Sequence, residues 1–154
     1  MTVNTATVSF TSREKDVVQG LAEGLTDHAI ARRLNRKPST VRHYIATAMK
    51  KVGANRQAAL VNSSYDLGLI RLPVGKDSTA YVSPQLRELI PLIVRGLTFD
   101  QIAAETHTSS AQASRDVRRL MKALDAQTRA HVVTRARQYG LLKAARPPSA
   151  VGRT

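Results

Sequence analysis

The chain has 154 residues, no cysteine, and 24 Lys and Arg against 11 Asp and Glu, a formal charge of +13. That excludes a disulfide framework and a thiolate zinc site. The four histidines, His28, His43, His107 and His131, lack ligand spacing, so no metal, cofactor or catalytic set is expected. No apolar run approaches the roughly 20 residues of a bilayer span, and Met1–Val8 has no signal-peptide pattern, so a cytoplasmic protein is expected. The basic excess is spread evenly, 12 Lys and Arg against 5 Asp and Glu in residues 1–76 and 12 against 6 in residues 77–154, and points first to nucleic acid.

In chain order, residues 1–9 are small and polar and read as a loose start. Thr11 and Glu14 form a capping box that opens a first helix with Val17, Val18, Leu21 and Ala22 inward, and Gly24 ends it. Thr26 caps a short second helix with Ile30 and Leu34 inward. Pro38 suits the first turn of a third helix. Val41, Ile45, Ala48, Met49 and Val52 make its apolar stripe, and Gly53 stops it. Asn55 is expected to cap a fourth helix that runs to about Leu67, before Gly68.

Residues 72–80 are the linker, broken by Pro73 and Gly75 and docked through Leu72 and Val74. Beyond it the chain repeats itself. Residues 9–71 align without a gap on residues 81–143, a shift of 72 positions. Gly24, Leu25 and Thr26 fall on Gly96, Leu97 and Thr98; Met49 and Lys50 fall on Met121 and Lys122. A repeat of this length is a folding unit. Ser83 and Pro84 start the second copy, with Leu86, Leu89, Ile90 and Ile93 inward. Pro91 should kink or break that helix. Thr98 with Gln101 and Ser109 with Gln112 form two further capping boxes. The third helix of this copy buries Val117, Leu120, Met121 and Leu124. The last covers about residues 128–139, and a basic tail, 144–154, reads as disordered.

A short helix, a turn and a longer helix is the helix-turn-helix plan. Its second helix needs one apolar face and one cationic face able to enter the major groove. Opposite the stripe, the third helix of copy one carries Ser39, Arg42, His43, Ala46, Thr47 and Lys50. The matching helix carries Ser114, Arg115, Arg118, Arg119 and Lys122. Arg reads guanine or neutralises phosphate. Helix starts at Thr26, Pro38 and Ser110 offer amides to phosphates, and Thr98 is assigned to the same interface as the counterpart of Thr26. Asp116 is awkward near phosphates and is expected to pair with Arg119 or Arg115.

Copy one resembles the DNA-binding domain of LuxR/NarL-type (GerE-type) transcription factors. The resemblance is carried by Thr11 with Arg13 and Glu14, by Ala22, Gly24, Leu25 and Thr26, and by Ile30, Ala31 and Leu34. Thr40, Val41 and Arg42 follow, then Lys51, Val52 and Gly53, then Asn55 and Arg56. Copy two keeps Gly96, Leu97, Thr98, Ile102 and Ala103 but has Gln112, Ala113 and Ser114 in place of the Thr-Val-Lys signature. The resemblance implies a four-helix domain whose third helix reads DNA and whose fourth mediates dimerisation. It places Arg42 near base edges and phosphate and His43 and Ala46 at base-facing positions, and Tyr44 stands where the family usually has His.

The expectation is therefore an all-α protein of two tandem four-helix LuxR-type helix-turn-helix domains, 9–71 and 81–143. It would bind double-stranded DNA in the nucleoid as a transcriptional regulator. Homodimerisation through the fourth helices is a further expectation. Stretched, the segment between Gly68 and Ser83 would span roughly 45 Å, letting both domains reach neighbouring half-sites. The alternative keeps DNA binding in domain 1 and gives domain 2 to dimerisation or to a protein partner such as RNA polymerase or another regulator.

Overall fold

The computed structural model describes residues 7–75 and 80–142. The chain start before residue 7, the middle of the linker, Lys143 and the tail 144–154 lie outside the described residues. Within them the chain is all-helical, with nine helices and no strand. The first half holds α1 (Ser12–Ala22), α2 (Asp27–Leu34), α3 (Pro38–Val52) and α4 (Gln57–Asp66). The second holds α5 (Pro84–Arg87), α6 (Leu89–Val94), α7 (Phe99–Thr106), α8 (Ser110–Leu124) and α9 (Arg129–Gln138). Helices α7, α8 and α9 begin and end 72 positions after α2, α3 and α4.

Local chemistry sets most boundaries. Thr11 and Glu14 close the capping box of α1, each side chain accepting from the other's backbone N–H. Thr98 and Gln101 do the same for α7. Pro38 occupies the first turn of α3. Gly24 at φ +89°, between α1 and α2, and Gly96 at φ +78°, between α6 and α7, turn the chain left-handed, a conformation that penalises any Cβ.

Pro91 divides the helix that corresponds to α1. Its nitrogen has no proton for the Arg87 carbonyl and its ring crowds that carbonyl. The interruption falls one turn earlier, at Glu88, between α5 and α6.

Three local expectations are corrected. Asn55 does not cap α4; Arg56 is the N-cap residue and supplies no side-chain bond. The box at Ser109 is half-formed: Ser109 accepts from the Gln112 N–H, but the Gln112 side chain turns to Asp116 and Arg115. The described start of the linker docks through its backbone: Gln138 donates to the Pro73 carbonyl, and just before it Gln19 bonds both backbone groups of Arg71. Leu72 and Val74 are exposed.

The apolar residues form one continuous core across both halves. In the first half it takes Val17, Val18, Leu21, Ile30, Val41, Ile45, Leu60 and Val61, and in the second Leu89, Ile90, Ile93, Ile102, Val117, Leu120 and Leu124. Helix α9 lies against α4, α1, α6 and α8, which explains why His131, Val132, Val133, Thr134 and Ala136 are all buried. Full burial of a Val or Leu side chain contributes about 1.5–3 kcal/mol, so this junction is held as a core is.

Polar contacts tie the two halves as well. Tyr65 Oη and Thr134 Oγ1 lie 2.6 Å apart, and Arg137 Nη2 donates to Asn62 Oδ1 at 2.7 Å and meets Asp66 Oδ1 at 2.7 Å. The Arg137 guanidinium also lies 5.0 Å from the centre of the Tyr65 ring. The expected face for a second chain on the fourth helices is therefore covered from within. The two halves are packed together, and the picture of domains held apart on a stretched tether is corrected.

Candidate nucleic-acid interface

Helix α3 faces α1 and α2 with Val41, Ile45 and Ala48 buried. This leaves Ser39, Arg42, His43, Ala46 and Lys50 exposed along the opposite side, with Thr40, Tyr44 and Thr47 half-buried at its margins. Tyr44 packs against the core, its ring 6.2 Å from that of His43. The Thr47 hydroxyl donates to the His43 carbonyl at 3.0 Å, so its proton is turned back onto the helix. Lys37, before Pro38, gives no side-chain cap, and the first-turn amides of α3 keep their capacity for an anion.

Arg42 is held in place. Its Nη1 lies 3.2 Å from Asp27 Oδ2, while Asp27 Oδ1 accepts the His28 N–H at 2.8 Å. Burial pushes the Asp27 carboxyl up, but the Arg42 and His28 bonds outweigh it and hold the group below its ordinary value. More than half of the Arg42 side chain is exposed. An exposed pair of this kind contributes about 0–1 kcal/mol, so Arg42 can exchange Asp27 for a phosphate or guanine at small cost. Thr26, whose hydroxyl accepts the Ala29 N–H, stands exposed at the start of α2.

Helix α8 presents a different surface. Arg115, Arg118, Arg119 and Lys122 are exposed, Ser114 half-buried. Arg119 lies 3.8 Å from Asp116, and Gln112 bridges Asp116 to Arg115 with bonds of 2.9 and 2.8 Å. Asp116 therefore pairs with Arg119 directly and with Arg115 only through Gln112. At the helix start Ser110 donates to the Asp100 carboxylate, which sets a negative group where a phosphate was expected. Thr98 is half-buried in its capping box.

Sequence reasoning missed Asp27, Asp100 and Gln112, the groups that hold these side chains. Acids in a first helical turn read as partners of the helix dipole; their reach to the next helix is a tertiary fact. Lys51 is committed to the fold, paired with buried Glu14 at 2.6 Å and donating to the Ser9 carbonyl. No group of three or more His, Cys, Asp or Glu among the described residues is placed to hold a metal. No helix among them is long and apolar enough to cross a membrane.

Residues 8–64, which take in α1 to α3 and most of α4, match the family model of bacterial regulatory proteins, luxR family. That span is a LuxR-type helix-turn-helix domain. Such a domain implies DNA binding and belongs to regulators, not enzymes. Neither the curated proteins nor the solved structures contain a match to the chain.

Proposed function

We propose that this protein is a sequence-specific, double-stranded DNA-binding transcriptional regulator, and that α3 enters the major groove. The supporting observation is the exposed outer face of α3, with Arg42, His43 and Lys50, inside the LuxR-type span. The second half is read as a diverged copy of the same domain, with α8 as its reading helix. What supports this is the common offset of its helices and its exposed Arg115, Arg118 and Lys122.

Duplexes enriched from a random pool test the reading. Affinity should fall by orders of magnitude between about 50 and 200 mM salt, because phosphate neutralisation releases counterions. Arg42→Ala should weaken the enriched duplex by about 1–3 kcal/mol, the scale of a good base contact, and leave melting unchanged. Equal losses on enriched and random DNA would reduce Arg42 to a phosphate contact. No binding to any duplex at low salt would remove the DNA reading. The rival, in which the second half binds a protein partner, draws on the Asp100 and Asp116 carboxylates at α8; it predicts that Arg115→Ala with Arg118→Ala leaves DNA affinity untouched.

A further inference from the structure

We infer that one chain does the work of a symmetric dimer: α3 and α8 of a single molecule read two half-sites of unlike sequence in inverted orientation on one duplex. This rests on the DNA-reading role proposed above and adds the symmetry, the stoichiometry and the class of operator.

The argument starts from which positions meet. Tyr65 bonds Thr134, and Arg137 bonds Asn62. Shifted by 72, position 65 becomes 137 and position 62 becomes 134, so each contact is the other with the halves exchanged. The helices follow the same rule. The first helix of copy one, α1, packs on α9, and its counterpart α6 packs on α4. The turns agree at the level of elements, though not residue for residue: Gly24 lies against His131 in the first turn of α9, and Gly96 lies against Asn55 and Arg56 just before α4. Reciprocal contact of this kind defines a two-fold, isologous interface, whereas a head-to-tail arrangement joins different patches. Equivalent positions also touch each other, Arg137 over Tyr65 at 5.0 Å, which marks where the axis passes.

A duplex has its own local two-fold axes, and a two-fold protein uses them by reading half-sites of opposite sense. Two domains strung on a linker would be free to take half-sites in the same sense. Here the packed junction fixes the relation. The half-sites must also differ in sequence. The outer positions of α3 are Ser39, Arg42, His43 and Ala46, and the same positions of α8 are Ala111, Ser114, Arg115 and Arg118.

The experiment uses the full chain and its enriched duplex. Light scattering at saturation should give one chain per duplex, and the duplex should carry two unlike half-sites in inverted orientation. Reversing one half-site in place should weaken binding about a hundredfold, since the second contact of a linked pair raises avidity by 10²–10⁴. An insertion of about five base pairs, half a helical turn, should do the same because the halves cannot separate to follow it. Half-sites in direct orientation, tolerance of the insertion, or two chains on one duplex would overturn the inference and leave the DNA reading standing. A single half-site, with the Arg115→Ala, Arg118→Ala variant bound as tightly as the parent, would overturn it in favour of a partner-binding second half. Failure to enrich any duplex would take the DNA reading with it.

Discussion

Glu14 is buried at the start of α1, where its carboxylate meets the Thr11 N–H at 2.9 Å and the Lys51 ammonium at 2.6 Å. Burial pushes its pKa up, yet these bonds prevail and hold it below the ordinary value of 4.5. The stability it contributes is therefore complete above that value and is lost as pH falls through the folded-state value. The second half solves the same two positions without charge, with Leu86 and Ala123 packed against the core. Glu14→Ala should cost about 1–2 kcal/mol, the scale of bonds to charged groups discounted because Lys51 is partly exposed and can rehydrate. Glu14→Leu combined with Lys51→Ala should recover most of that loss, since replacing both partners leaves no orphaned charge. Urea denaturation of Glu14→Leu, Lys51→Ala and the double variant measures the coupling; additive losses in the double variant would show that the pair is not the reason Glu14 is kept.

At the scale of helices, Pro91 offers the sharpest change. It is exposed, so Pro91→Ala removes no core contact, and it restores an N–H at position 91 able to donate to the Arg87 carbonyl. Interior proline costs up to about 3 kcal/mol, but the break at Glu88 has already relieved much of it. Loss of proline also returns about 0.4–1 kcal/mol of entropy to the unfolded chain. The expected net gain is about 1 kcal/mol, with more helix by circular dichroism; a destabilised variant would show that the break itself is needed.

Helices are also the level at which the sequence was most readable. Thr11, Thr26, Ser83, Thr98 and Ser109 announce helix starts because a cap bonds within three residues, and all five side chains accept the bond expected of a cap. Asn55 misled because a capping residue type does not make a cap without the backbone turn. Gln112 misled because Asp116, one turn on, competes for its amide. Arg42 was legible as an outward cation, but its Asp27 partner was not, since 15 residues and a turn separate them. The junction of α4 with α9 was hidden for the same reason. Each helix alone has a weak apolar stripe, and its buried face is defined only by the other.

For the molecule as a whole, one shared core implies one unfolding unit. Each half of about 63 residues would bury little on its own, so calorimetry should show a single transition, and two resolved transitions would mean that the halves fold independently. His131 makes that transition sensitive to pH. Its Nδ1 accepts the Gln127 N–H at 3.1 Å, which requires an unprotonated nitrogen there. Burial and then Arg135 push its pKa below 6.5, against the pull of Asp125 and Glu23. The unfolded chain then binds more protons than the folded one below about pH 6.5. Stability should be complete above that pH and decline as pH falls through 6.5 towards the folded-state value. His131→Gln should flatten melting temperature against pH between 7.5 and 5.5; an unchanged profile would assign the dependence to another group.

The unlike residues at the junction decide who associates with whom. Arg137 finds Asn62 and Asp66 across the axis only because the opposing helix comes from the first half. Were two second halves from different chains to meet in the same way, each Arg137 would face Thr134 and, in place of Asp66, Gln138. A largely buried guanidinium would then lack its carboxylate, a loss of several kcal/mol for each side. Pairing of like with like is thus penalised, and discrimination comes from what the wrong partner fails to offer. Joining the copies in one chain lets the two sides of one interface evolve apart, so the chain prefers its own other half to that of a neighbour.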